Sequence, residues 1–227
     1  MVITGARKGI GGYLVDYYVK KGFRVVGCSR NANDYKSDLY RHFCLHVSDE
    51  PKVKAMFRDI RREYGGLDIL INNAGIASMN SFLLTPLNQV RSVLDTNVVG
   101  TFLLCREAAK IMALKRYGRI INFTTAAVPL KLEGEASYVA SKASVVSLTE
   151  VLARELADMG ITVNAVGPTL VETDLIRSVP QTKIRELLKR QAIGRLSRLE
   201  DISNVIDFFI RPESEFVTGQ VIFLGGV

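Results

Sequence analysis

Seven short runs rich in Val and Ile alternate with longer stretches of helical periodicity, and this alternation constrains the fold more than any other feature. The runs are Met1–Thr4, Arg24–Cys28, Phe43–Val47, Leu67–Asn72, Arg119–Thr125, Ile161–Val166 and Gln220–Leu224, each short and apolar enough for a strand buried on both faces. Strands that alternate with helices need right-handed crossovers, which build a parallel sheet covered by helices on both sides. The expected fold class is α/β, a doubly wound parallel sheet. With 227 residues and 48% hydrophobic content, the chain suits one domain spanning 1–227. Ligands of such sheets sit at the carboxyl ends of the strands.

The helical stretch from Pro86 to Tyr117 is too long for an average helix, and N-V-V-G at 97–100 predicts a bend or break within it. Pro86 is a natural helix start, and Gly160 is expected to end the helix that carries Tyr138 and Lys142. The segment from Gly167 to Ser197, which contains Pro180, is the least regular and reads as a cover over a site.

Composition excludes several functions. The formal net charge is +7, but the basic residues are scattered and lack the interleaved aromatics of a nucleic-acid platform, so no nucleic-acid partner is expected. The excess fits a phosphorylated cofactor, an anionic carrier or a plain solvated surface equally. Cys28, Cys44 and Cys105 show no C-x-x-C spacing; this predicts a reducing compartment and neither a disulfide framework nor a structural metal. M-V-I-T-G runs straight into a strand, and no window has the roughly 20 apolar residues of a membrane span. A soluble, cytoplasmic protein is expected.

The first strand leads into T-G-A-R-K-G-I-G at 4–11 and then into a helical pattern. Glycines at such a junction allow a tight turn, close approach of backbone N–H groups to a pyrophosphate, and a helix N-terminus aimed at it. The strand–turn–helix context makes the pattern specific. Gly5, Arg7, Lys8, Gly9, Ile10 and Gly11 are therefore candidate dinucleotide-binding residues. About 20 residues past such a turn an acid would read the ribose of NAD, and here stand Ser29 and Arg30. Arg30, with Arg7 or Lys8, supplies donors for a 2′-phosphate instead, and NADP(H) is the expected cofactor. The alternative is that these cations are merely solvated and cofactor choice is relaxed.

These motifs resemble the short-chain dehydrogenases/reductases, a Rossmann-fold family, nearly end to end. The resemblance rests on the glycine turn at 4–11, N-N-A-G at 72–75, N-V-V-G at 97–100, Y-V-A-S-K at 138–142, and V-T-G-Q followed by G-G at 217–226. It implies that Asn73, Ala74 and Gly75 line the cofactor ribose, and that His46 and Val47 meet the adenine. It also implies that Pro168, Val171 and Thr173 of G-P-T-L-V-E-T belong to the nicotinamide end, with Val171 and Thr173 holding its carboxamide.

Tyr138 and Lys142 lie four positions apart, a spacing that puts them on one helix face and taken alone means little. With the resemblance it gains a chemical reading. Reducing a ketone by hydride transfer leaves an alkoxide, which needs a proton donor and a second donor to hold the developing charge. Tyr138 is the candidate acid, and Lys142 is expected to lower its pKa and to orient the cofactor ribose. Asn97 is similar to the family residue that anchors a water beside this lysine in a proton relay.

The chain departs from the family pattern at Thr125, which stands 13 positions before Tyr138 where the family has Ser. Threonine keeps the hydroxyl but stiffens χ1 and adds a methyl, so it reads as a working donor with reshaped substrate tolerance; a relic site is the rival reading. His46 replaces an Asp or Asn, Thr169 replaces a glycine, and Leu224 replaces an Asp. His42 is read as a surface residue.

Within the family the chain is most similar to β-ketoacyl-[acyl carrier protein] reductases. Arg116 matches the first of two arginines that read the acidic carrier, whereas Met159 occupies the second position. The leading expectation is an NADPH-dependent reductase of a ketone or 3-oxoacyl thioester, with acyl carrier protein as a possible partner. A secondary-alcohol or sugar-modifying dehydrogenase and a non-catalytic NADP(H)-binding protein are the alternatives. The resemblance further implies a homodimer or homotetramer through Pro86–Tyr117, Ser137–Met159 and the last strand.

Overall fold

The computed structural model describes residues 1–171 and 181–227. Its centre is a seven-stranded sheet in the order β3-β2-β1-β4-β5-β6-β7, with every neighbouring pair parallel. The strands are β1 Val2–Thr4, β2 Val25–Ser29, β3 Tyr40–Cys44, β4 Ile69–Asn72, β5 Gly118–Phe123, β6 Ile161–Gly167 and β7 Val221–Phe223. The order reverses between β1 and β4, so the crevice at the carboxyl ends of these two strands is the topological switch point.

The helices are α1 Gly9–Lys20, α2 Glu50–Tyr64, α3 Leu87–Leu94, α4 Gly100–Lys115, α5 Ala127–Leu130, α6 Ala136–Glu155, α7 Gln181–Lys189 and α8 Leu199–Ile210. Two cores form, one on each face of the sheet. Residues of α2 and α4, with Ala153 of α6, bury against Leu70, Ile120 and Val163; α1 and α8 bury Leu14, Tyr18, Ile206 and Phe209 against Ile71, Ile121 and Val166. Helix α2 illustrates the local logic. Asp49 accepts a hydrogen bond from the Lys52 amide at its start, Gly65 closes it with φ of 70°, and Val53, Met56, Phe57 and Ile60 form its buried stripe.

Two boundaries differ from expectation, and one break falls where it was expected. The third strand is Tyr40–Cys44 rather than Phe43–Val47. Leu45 and Val47 are buried just beyond the strand; Val47 packs against Gly100, where a Cβ would lie 2.5 Å from Val47 Cγ2, so a helix contact rather than the sheet makes these positions apolar. The long helix is interrupted where N-V-V-G predicted, by a π-helical turn over Asp95–Val99. Helix α6 ends at Glu155, and Gly160 caps a following 3₁₀ turn with φ of 70° instead.

The second core is tied by polar groups on α1 and α8. The Asp207 carboxylate accepts from Tyr17 Oη (2.7 Å), Tyr18 Oη (3.1 Å) and Lys21 Nζ (2.6 Å). Tyr18 is 0% exposed, so removing the acceptor strands a buried hydroxyl. Asp207→Ala is expected to lower unfolding free energy by about 2 kcal/mol in urea titration, and Asp207→Asn, which keeps one acceptor oxygen, by less.

Candidate active site

The site begins at the turn after β1. Gly5 and Gly9 have φ of 67° and 57°, a region costly for other residues. A Cβ on Gly11 would lie 2.2 Å from the Gly5 carbonyl oxygen, so only glycine lets α1 start this close to the turn. The N-N-A-G loop after β4 is laced to the same turn. Asn73 Nδ2 donates to the Thr4 carbonyl (2.9 Å), and the Ala74 amide donates to Thr4 Oγ1 (2.8 Å). Asn73 thus holds the two loops of the switch point together.

This crevice fits a dinucleotide. Helix α1 has no side-chain cap and no acid in its first turn, leaving its first N–H groups and the positive end of its dipole for an anion. Arg7, Lys8 and Arg30 are exposed and form no ion pair among the described residues. Ile10 is half-buried beside them. Ser29 Oγ donates to the Asn31 carbonyl (2.7 Å). His46, half-buried beyond β3, has Nδ1 2.8 Å from Ser48 Oγ, and the buried Val47 turns its side chain to Gly100. Pro168 is buried and its carbonyl accepts from the Ala126 amide (3.0 Å). Val171 forms an isolated bridge with Ser197, while Thr169 Oγ1 lies 2.7 Å from Ser197 Oγ. Thr173 and Pro180 fall outside the described residues.

The chemical groups converge from β5, α6 and the π-helical turn. Lys142, 5% exposed, donates from Nζ to the Phe123 carbonyl at the end of β5 (2.8 Å). Thr124 Oγ1 donates to the Lys142 carbonyl (3.1 Å), fixing α6 against the strand. The Thr125 side chain lies beside the Tyr138 phenol and favours its ionised form, and Thr125 Oγ1 accepts from the Ala127 amide (3.2 Å). Asn97, 0% exposed, clamps Ile76: Oδ1 accepts from its amide (2.9 Å) and Nδ2 donates to its carbonyl (3.0 Å). Asn97 Nδ2 also donates to Ser141 Oγ (2.9 Å), which in turn donates to the Tyr138 carbonyl (2.7 Å). Gly75 lies at the meeting point, where a Cβ would be 3.2 Å from both Asn97 Oδ1 and Lys142 Nζ.

Ser141 escaped sequence reasoning, although its place three residues after Tyr138 puts it on the same helix face. The electrostatics also differ from expectation. Burial pushes the Tyr138 phenol up to about 12; the neighbouring Thr125 hydroxyl opposes the rise and the Glu135 charge adds to it. Burial lowers Lys142 to about 8. Desolvation therefore outweighs the expected help of lysine to phenolate, and both groups move toward their neutral forms.

A parallel sheet with an uncapped, glycine-led helix at its switch point and a Tyr–Lys–Asn–Thr constellation beside it defines a nicotinamide-dependent oxidoreductase. A family model described as "Enoyl-(Acyl carrier protein) reductase" matches residues 5–226. The chain is 31% identical to the 3-oxoacyl-[acyl-carrier-protein] reductases of Vibrio cholerae and Escherichia coli K12, with 99% of the chain and 95% of each relative covered. It is 32% identical to that of Staphylococcus aureus Mu50, with 99% of the chain and 96% of the relative covered. The chain belongs to the short-chain dehydrogenase/reductase family. It is accordingly an enzyme that acts on a CH–OH or C=O group.

Proposed function

We propose that the protein is an NADPH-dependent reductase of a ketone, in particular a 3-oxoacyl thioester, with Tyr138 as proton donor. The observation that carries this reading is the chain of bonds that seats buried Lys142 on the Phe123 carbonyl and ties Asn97 through Ser141 to the Tyr138 backbone, with the Thr125 side chain beside the Tyr138 phenol. When bound, the nicotinamide supplies the hydride. Thr125 donates to the carbonyl oxygen and steadies its developing charge. Tyr138, held protonated by burial, then gives its proton to an alkoxide, which is more basic than a phenolate. The two free N–H bonds of Lys142 are available to ribose hydroxyls. Asn97 keeps Ile76 and Ser141 in place behind the pair.

The preference for NADPH rests on Arg30, Arg7 and Lys8, exposed cations that form no ion pair among the described residues. The thioester reading rests on the relatives, whose names state that substrate. An acyl carrier protein would meet Arg116, which is exposed and donates to the Asp158 carbonyl (2.6 Å) next to Met159. A single-domain subunit spanning 1–227 belongs to the same reading; of the expected cover at 167–197, Val171 bridges to Ser197, and 172–180 lie outside the described residues. Exposed Leu94, Val99, Phe102 and Leu114 along α3, the π-helical turn and α4, and Val151 on α6, favour a homodimer or homotetramer. A cytoplasmic location is part of the same reading, and among the described residues no helix is long and apolar enough to cross a membrane.

The test is NADPH oxidation against an acetoacetyl thioester and a panel of ketones, with NADH alongside. Turnover with NADPH supports the reading; turnover only of secondary alcohols in the oxidative direction replaces it. Thr125→Val keeps the shape and loses the donor, and is expected to cut kcat by about 10²-fold. Thr125→Ser is expected to stay within about threefold of wild type, and equal rates for Val and Thr would remove Thr125 from the mechanism.

A further inference from the structure

A polar cluster outside the groups just assigned lies at the carboxyl ends of β2 and β3, beside the glycine turn. Asn33 Nδ2 donates to the Ala6 carbonyl (3.0 Å) and to Tyr40 Oη (3.1 Å). Tyr40 Oη lies 2.7 Å from His42 Nδ1. His42 Nε2 lies 3.1 Å from the Asn31 carbonyl and 3.0 Å from Ser29 Oγ. His42 is therefore part-buried and three times bonded, not the surface residue the sequence suggested.

Donor counting fixes the direction of this chain. The Asn31 carbonyl only accepts, so His42 Nε2 donates to it, and in the neutral ring Nδ1 accepts from the Tyr40 hydroxyl, which itself accepts from Asn33 Nδ2. The ring proton then sits on Nε2, facing the Asn31 carbonyl, which is the neutral tautomer. Burial lowers the imidazole below the usual histidine range, in keeping with that state. Tyr40 reaches the cluster by lying across Gly27, where a Cβ would come within 2.2 Å of its hydroxyl. Tyr35 meets the Tyr40 ring edge-on at 5.3 Å.

The cluster's two ends have functional neighbours. Ala6 immediately precedes Arg7, and Ser29 and Asn31 flank Arg30. These arginines stand on different segments, and a 2′-phosphate held by both requires the two segments to keep a fixed separation. Free arginine side chains lose more entropy on binding than chains rooted in an ordered backbone.

We infer that Tyr40, His42 and Asn33 are positioning residues that fix the separation of Arg7 and Arg30, and so set the selectivity of the site for the 2′-phosphate of NADP(H) over the bare ribose of NAD(H). The inference rests on the NADP(H) reading above. None of the three residues touches the phosphate; they act through the backbone that carries the arginines.

The experiment is equilibrium binding of NADPH and NADH, followed by nucleotide fluorescence, to the full chain and to Tyr40→Phe, His42→Phe, Arg30→Ala and Arg30→Ala/His42→Phe. Tyr40→Phe keeps the ring across Gly27 and removes only the relay hydroxyl, which guards against simple misfolding. The wild-type preference for NADPH is expected to fall about tenfold in Arg30→Ala and about fivefold in Tyr40→Phe and His42→Phe, with NADH affinity within about twofold throughout. The double variant is expected to match Arg30→Ala alone, because His42 acts through Arg30. Equal losses for both nucleotides, or losses that multiply in the double variant, overturn the inference while leaving the NADP(H) reading intact. A wild-type chain that binds NADH as tightly as NADPH overturns both.

Discussion

Tyr138→Phe is expected to lower kcat by at least about 10³-fold while NADPH affinity stays within about threefold. The substitution removes one oxygen and leaves a ring of nearly the same size between Thr125 and the helix. What disappears is the proton donor of the proposed mechanism, the phenol that lies beside the Thr125 side chain. Because burial holds the phenol near 12, the wild-type rate of reduction is expected to be flat from neutral pH upward until another group titrates. Stopped-flow absorbance of NADPH with the variant and wild type checks both statements. A variant that retains a tenth of the wild-type rate would show that solvent supplies the proton and would remove Tyr138 from its role.

Lys142→Met carries the second large effect, and it is read in stability as well as in rate. Lys142 is buried, bonds a backbone carbonyl and forms no ion pair among the described residues, and burial lowers it to about 8 from the ordinary 10.5. Between these values the unfolded chain binds more protons than the folded one, so this group adds stability as pH rises through the window and imposes its full penalty below it. Methionine has no such term. In urea unfolding without cofactor, the variant should gain most over wild type at pH 7 and lose that advantage by pH 10.5. The change amounts to about 3 kcal/mol, at about 1.4 kcal/mol per pH unit. A difference between the two proteins that does not vary with pH would mean that the ammonium is solvated where the fold buries it. Turnover of Lys142→Met should fall about 10²-fold or more.

The sheet was legible because burial on both faces writes itself into short Val- and Ile-rich runs, and the glycine turn because positive φ and close approach admit few other residues at Gly5 and Gly11. The break at N-V-V-G was legible for a related reason, since a helical pattern of that length needs an interruption. The third strand was misplaced because Leu45 and Val47 are apolar for the sake of α2 and α4, and a one-dimensional pattern does not say which partner buries a residue. The Tyr40–His42–Asn33 cluster was hidden in the same way. Each of its residues is an ordinary polar side chain in sequence, and it takes the register of β3 on β2 together with the loop between them to bring Tyr40, His42 and Asn33 to Ala6 and Ser29. The shift of Tyr138 was illegible because spacing reports that a lysine shares its helix face, whereas desolvation depends on what the rest of the chain packs around it.

The π-helical turn over Asp95–Val99 has a further consequence for how this site can arise and be lost. Such a turn is a regular helix with one residue to spare. A chain one residue shorter could run from α3 into α4 as an unbroken helix and still present the same two apolar faces to the sheet and to α6. The fold therefore has no need of the extra residue; the Asn97 clamp on Ile76 and Ser141 does. Chain length at this position separates a scaffold that merely folds from one that keeps its N-N-A-G loop and its tyrosine helix in register, and a single codon is the distance between them.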